Sequence, residues 1–216
     1  LRYRGRGGRD RPHRPGSDVQ RVAFDPNHLP DEEAELLQDA QLGDRRAFAA
    51  LIERYWERLY RWLYHLTRDV HAAEDLAQES FLKAYAALKS FRLGSNFRAW
   101  LYRIAHNNFI NHRRAGRRVR SALPEEVLAP PGGPVEDALG RELLERLGQA
   151  VGKLPAEFRA ALMLRAEEGL SFRQIAEVLG TTEETARWRV FKARQKLMQL
   201  MAPELGVRDP EASGGR

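Results

Sequence analysis

Residues 97–120 read FRAWLYRIAHNNFINHRRAGRRVR, with seven arginines, two histidines and no acid. On a helix such a concentration of cations binds anions, phosphates above all. At 3.6 residues per turn Leu101, Ile104, Ala105 and Asn108 share an inward face. Trp100, Arg103, Asn107, Asn111 and Arg114, at i, i+3, i+7, i+11 and i+14, share another. Amides can read base edges, guanidinium groups hold phosphates and an indole can stack on an unpaired base, so this second face suits nucleic acid. A merely solvated basic helix would carry the same charge pattern. The loop SFRLGSN, residues 90–96, lies next to the same surface.

HNNFINH also invites a metal-nuclease reading. His106 and His112 are six apart and do not share a helical face, and residues 97–120 contain no carboxylate to complete a hard-metal site. No Gly-rich phosphate loop, Ser-containing elbow or other nucleophilic constellation is apparent. A binding protein is expected rather than an enzyme, with no metal and no cofactor.

A second group lies in SFRQIAEVLGTTEETARWRVFKARQKL, residues 171–197. Ser171 with Gln174, and Thr181 with Glu184, each have capping-box spacing, which predicts two helices starting ten residues apart. The first, over about 172–179, places Ile175, Ala176 and Leu179 on one face, and Gly180 supplies the turn. The second buries Ala186, Val190, Ala193 and Leu197. Glu184, Trp188, Phe191, Lys192 and Gln195 then face outward, flanked by Arg187, Arg189 and Lys196. This is a helix-turn-helix whose outer face could enter a major groove, and LPAEFRAALMLRAEEGL before it supplies a supporting helix with Phe158, Leu162 and Leu164 or Arg165 at the core.

A third segment, AAEDLAQESFLKAYAAL at residues 72–88, has the opposite charge. It buries Ala73, Ala77, Ser80, Phe81, Ala84 and Leu88 and leaves Glu74, Asp75, Gln78 and Glu79 outside, a face that repels DNA and suits a basic protein partner. A plain solvated face would look the same.

The elements that must position these groups are all helical. The pattern is helical almost throughout residues 31–114, opening on Pro30 and a run of acids, and again over 138–201. Between them, residues 115–137 (AGRRVRSALPEEVLAPPGGPVED) carry Pro and Gly that defeat helix and strand, the composition of a linker. Residues 202–216 read as a frayed end. Residues 1–30 read as a basic tail: the first 21 hold seven arginines against two aspartates, most of the chain's formal +6. The expectation is all-α, two small helical domains on a flexible tether. With 43% hydrophobic and 31% charged residues, real cores are affordable, and without cysteine there is no thiol switch, disulfide or Cys-ligated zinc in these 216 residues. No run reaches the roughly 18–20 apolar residues of a membrane span, and the start lacks the apolar middle of a secretion signal, so a cytoplasmic location without membrane insertion is expected.

In order along the chain, AEDLAQESFLKAY, FRAWLYRIAHNNFINHRR, LPAEFRAALMLR and the helix-turn-helix resemble a bacterial RNA polymerase sigma factor of the extracytoplasmic-function class, the minimal form with only the second and fourth sigma domains. The resemblance covers about residues 31–201. It implies a sigma2-like bundle over 31–114 and a sigma4-like domain over 138–201. It also implies a protein that binds core RNA polymerase and directs promoter recognition and melting, nucleoid-associated when so bound. Asp75, Leu76, Gln78, Glu79 and Lys83 match the segment that docks on the beta-prime clamp helices, with the beta flap as the other implied polymerase contact. Phe91, Arg92, Ser95, Asn96 and Phe97, with Trp100, Arg103, Asn107, Asn111 and Arg114, match positions that contact the minus-ten element and capture a flipped base. Thr182, Glu184, Arg187, Trp188, Phe191, Lys192 and Gln195 fall where the family reads the minus-thirty-five element. The linker corresponds to a segment passing near the active-site cleft, and an anti-sigma protein is an implied partner. Trp188 departs from the family, which usually carries a small residue there, and the Arg-rich tail lies outside its pattern. A stand-alone helix-turn-helix regulator, dimerising to read two half-sites, is the competing reading, and a protein-interaction adaptor a third.

Overall fold

The computed structural model describes residues 31–119 and 138–202. The tail over 1–30, residues 120–137 of the expected linker and residues 203–216 lie outside the described residues. Eight α-helices and one 3-10 turn, with no strand among the described residues, bear out the all-α expectation.

The N-terminal module begins with α1, Asp31–Leu42, and α2, Arg45–Thr67. Gly43 (φ 103°) turns the chain, and Asp44 caps α2 by accepting from the Arg46 and Ala47 N–H groups. Arg68 ends α2 in the left-handed region (φ 60°), donating its N–H to the Tyr64 carbonyl at 2.8 Å. Asp69 then caps α3, Val70–Ala87, and after a 3-10 turn, Leu88–Ser90, the chain enters α4, Phe97–Val119. α2 is the hub. It packs against α1, α3 and α4, and its apolar rows Leu51, Leu59 and Leu63 are fully buried. Trp62 meets Tyr102 of α4 edge-on, ring centroids 5.2 Å apart, and Trp56 stacks on Phe81 of α3 at 6.0 Å.

Residues 115–119, read as the start of the linker, belong to α4. Gly116 is the only helix breaker there, and one interior glycine costs roughly 1 kcal/mol, too little to stop a helix already propagating from its packed preceding turns.

The C-terminal module comprises α5, Ala138–Gly152, α6, Ala156–Ala166, α7, Phe172–Leu179, and α8, Glu183–Met201. Leu164, Leu170, Ile175, Ala186 and Ala193 are buried at its centre, and Leu197 is packed against them. The two modules touch: α4 packs on α7, and α2 on α6. No helix among the described residues is long and apolar enough to cross a membrane.

Candidate nucleic-acid interface

The start of α4 is fixed by Asn96, whose Oδ1 accepts the Ala99 N–H at 2.8 Å. From that start, the helical turn presents Arg103, Asn107, Asn111 and Arg114 to solvent. Trp100 is half-buried, because its ring leans on Phe91 (5.1 Å) and Phe97 (5.6 Å). One residue beyond Asn107, the side chain of Asn108 points inward. Its Nδ2 donates to Ser80 Oγ at 3.0 Å and its Oδ1 accepts from Lys83 Nζ at 2.6 Å. Adjacent asparagines thus do different work, one available to a base edge and one tying α4 to α3.

Two of the loop residues expected at the DNA surface are inside. Phe91 is 5% exposed and Phe97 fully buried, their rings edge-on at 5.5 Å. Gln41 of α1 donates to the Leu88 and Phe91 carbonyls at 2.9 and 2.7 Å, holding the loop down on α1. Removing two phenyl rings from water favours this inward placement by roughly 1.5–3 kcal/mol each. Phe91 and Phe97 therefore support Trp100 rather than form the surface, which the loop offers through exposed Arg92 and half-buried Ser95 and Asn96.

On α3, Glu74, Asp75, Gln78, Glu79 and Lys83 are exposed, with Lys83 Nζ 2.6 Å from Glu79. Leu76, grouped with them from the sequence, is buried at 3% exposure because it lies on the inward row of α3 with Ala73, Ala77 and Ser80. The apolar component of this outer face is instead Leu82, 71% exposed, with Tyr85 beside it. Sequence reasoning missed both, although Leu82 stands seven residues after Asp75, two turns along the same face.

In the helix-turn-helix, Ser171 forms the predicted capping box: its hydroxyl accepts the Gln174 N–H at 3.2 Å and the Gln174 side chain accepts the Ser171 N–H at 2.9 Å. Gly180 turns the chain at φ 61°. The second cap is one residue later than predicted. Thr182, not Thr181, accepts the Thr185 N–H at 3.2 Å, while the Thr181 N–H donates back to Ala176. In TTEET both threonines have an acceptable partner three residues on, and the length of the turn after Gly180 selects the second.

The outward face of α8 is as predicted. Glu184, Arg187, Trp188 and Phe191 are exposed and Lys192 and Gln195 half-buried, the latter two joined at 3.1 Å. Trp188 is propped edge-on against Phe158, with centroids 5.4 Å apart and planes at 79°. Arg187 is held between Glu183 (3.1 Å) and the face of Phe172, 5.2 Å from its centroid. Glu183, Glu184, Arg187, Trp188 and Phe191 line an open groove.

His106 is neutral at pH 7: burial, then the charges of Arg189 and Arg113, lowers its pKa to about 4. No group of three potential metal ligands occurs among the described residues. A polar cluster the sequence did not point to lies where the modules meet. Glu168, 2% exposed in the turn after α6, faces Arg58 of α2, Nη2 to Oε2 at 3.0 Å, although its place in the sequence suggests no role beyond the end of the supporting helix.

Residues 51–119 match the family model for sigma-70 region 2, and residues 144–197 that for sigma-70 region 4. The chain is 35% identical to the RNA polymerase sigma-H factor of Pseudomonas aeruginosa, over 81% of this chain and 96% of that one. It is also 35% identical to the ECF RNA polymerase sigma-E factor of Escherichia coli, over 78% and 93%. Among solved structures, a Bartonella quintana sigma factor, RpoE, bound to the anti-sigma factor NepR aligns with a TM-score of 0.61 at 30% identity, covering 71% of this chain and 96% of that one. CnrH bound to the cytosolic domain of CnrY aligns at 0.60 and 27%, covering 81% and 99%.

Proposed function

The chain belongs to the extracytoplasmic-function class of the sigma-70 family, a promoter-directing transcription initiation factor, and from that premise we propose how its surfaces divide the work. Residues 31–114, with α4 running on to Val119, form the module that binds core polymerase and the minus-ten element. Residues 138–201 form the module that reads the minus-thirty-five element, and the intervening linker tethers them. No catalytic step is assigned to the chain: it acts where core polymerase acts, on cytoplasmic DNA.

Polymerase docking falls to the outer face of α3. Asp75, Gln78 and Glu79 present an acidic surface to the beta-prime clamp helices, and Leu82 supplies the apolar centre a stable interface needs. The beta flap is the expected second polymerase contact, on the C-terminal module, and an anti-sigma protein is the expected repressor, by analogy with the Bartonella quintana sigma factor bound to the anti-sigma factor NepR.

Melting falls to α4. Arg103 and Arg114 hold phosphates while Asn107, Asn111 and the exposed edge of Trp100 receive an unpaired base of the non-template strand, with Arg92, Ser95 and Asn96 beside them. Extruding a base costs a few kcal/mol, which stacking and edge hydrogen bonds offset. α8 enters the major groove with Arg187, Trp188, Phe191, Lys192 and Gln195, with Thr182 and Glu184 at its leading end. The observation that carries this reading is the outward row Arg103, Asn107, Asn111 and Arg114 on a helix whose opposite side is packed.

Promoter-fragment binding, measured with and without core polymerase, tests it. Weak binding alone and tight, sequence-specific binding with core is expected; tight specific binding by the protein alone, as a dimer, would indicate a stand-alone regulator.

A further inference from the structure

Trp188 and Phe191 are the largest apolar side chains that α8 leaves in water, 52% and 62% exposed and one turn apart. Their ring surfaces adjoin cations: Arg187 precedes Trp188, and Lys192 Nζ lies 6.0 Å from the Phe191 centroid. An apolar pair set among cations complements a polyanion that also offers an apolar group. Trp188 is moreover held in place. Its ring meets Phe158 of α6 at 5.4 Å with planes at 79°, and Phe158 itself is packed against the core. Lys196 Nζ lies 5.7 Å from the Phe158 centroid. The next residue along each helix repeats the contact, Arg189 reaching Glu157 at 3.4 Å. Two adjacent pairs thus fix α8 against α6, and an indole ordered before binding loses little freedom on contact.

What such a ring can recognise follows from the base edges. In the major groove guanine, adenine and cytosine present only hydrogen-bonding groups, whereas thymine adds a 5-methyl group. An indole has no acceptor and a single N–H donor. Laid on a wholly polar edge it covers groups whose water it cannot replace, which costs binding. Laid on a thymine methyl it removes two apolar surfaces from water. Residues near the start of a recognition helix are those that reach base edges, and Trp188 stands in the second turn of α8.

Resting on the assignment of α8 to the minus-thirty-five element, we propose that Trp188 reads the 5-methyl group of a thymine in that element, with Phe158 as the positioning residue that fixes its ring. Arg187, held by Glu183 and the face of Phe172, supplies the neighbouring polar contact.

Deoxyuridine lacks only that methyl. The holoenzyme of core polymerase and the full-length chain is first used to select an element from randomised duplexes. Each selected thymine is then replaced in turn by deoxyuridine, and affinities are compared by competition. At one position the replacement is expected to weaken binding about fourfold, the effect of burying one methyl. Trp188→Ala should bind the two duplexes alike. Phe158→Leu should shrink the thymine-to-uracil ratio and Phe158→Tyr should keep it, a difference that loss of stability alone does not produce. Far-UV circular dichroism establishes that each variant is folded. An element without thymine, equal binding of both duplexes by the wild type, or a ratio that survives in Trp188→Ala would each overturn the proposal, and so would a Trp188→Ala variant whose loss lies in core polymerase binding. An unchanged ratio in Phe158→Leu would overturn its positioning role. Specific binding by the free chain without polymerase would contradict the initiation-factor reading instead, and the same comparison made on the free chain then decides the role of Trp188.

Discussion

Lys83 of α3 donates to Asn108 of α4 at 2.6 Å, and the same ammonium lies 2.6 Å from Glu79. One side chain therefore joins the helix proposed to meet polymerase to the helix proposed to open DNA. Lys83→Ala leaves the buried Asn108 Oδ1 without this donor and is expected to cost about 1 kcal/mol, seen as a lower Tm. An unchanged Tm would show that the bridge contributes nothing.

The adjacent asparagines of α4 separate function from fold. Asn107→Ala should leave Tm and core affinity nearly unchanged while impairing promoter opening, measured by permanganate reactivity of unpaired thymines. Equal losses in core binding and opening would remove Asn107 from the site. Phe97→Ala should do the converse, costing about 3–5 kcal/mol in stability as a large buried ring is lost.

On α8, Lys192→Ala should weaken discrimination at the minus-thirty-five element by about 1–3 kcal/mol if Lys192 meets a base edge. Trp188 bears on the same element, with its ring standing on Phe158 instead of lying flat on the helix. Trp188→Ser should change which sequence is preferred more than how tightly core polymerase is bound. Selection from a randomised element reads this directly, and identical selected sequences would exclude Trp188 from recognition.

Acid should loosen the contact between the modules. Burial, then the charges of Arg159, Arg68 and Arg61, lowers His65 to about 4, and His106 is lowered similarly by burial, Arg189 and Arg113. A histidine depressed below its usual 6.5 binds protons better once released. Its contribution to stability is thus complete above about pH 6.5 and declines as pH falls toward 4. Glu167, raised chiefly by burial, works the other way, since its folded-state proton is held more tightly. Both histidines lose contribution within this range, which lowers Tm between pH 7 and 5, and His106→Gln should flatten that slope. A slope unaffected by the substitution would place the sensitivity elsewhere.

Much of this was legible because local rules sufficed. Helical periodicity alone separates Asn107 from Asn108, and the Ser171 and Gln174 cap sets the start of α7. Tertiary contacts decided the rest. Phe91 and Phe97 look like loop residues until Gln41, some fifty positions earlier, is seen bonded to the Phe91 carbonyl. Leu76, expected on the outer face, is buried and Leu82 exposed because α2 and α4 cover only one side of α3. Nothing in EEGL sets Glu168 apart, and only the approach of α2 buries it.

The central claim is that one chain supplies promoter specificity to a polymerase through two modules. Run-off transcription from a promoter-fragment library, with core polymerase alone and with this protein added, tests it most directly. Transcripts from a discrete subset sharing two spaced elements, only when the protein is present, are predicted. No protein-dependent initiation, together with specific binding by the free protein, would contradict it.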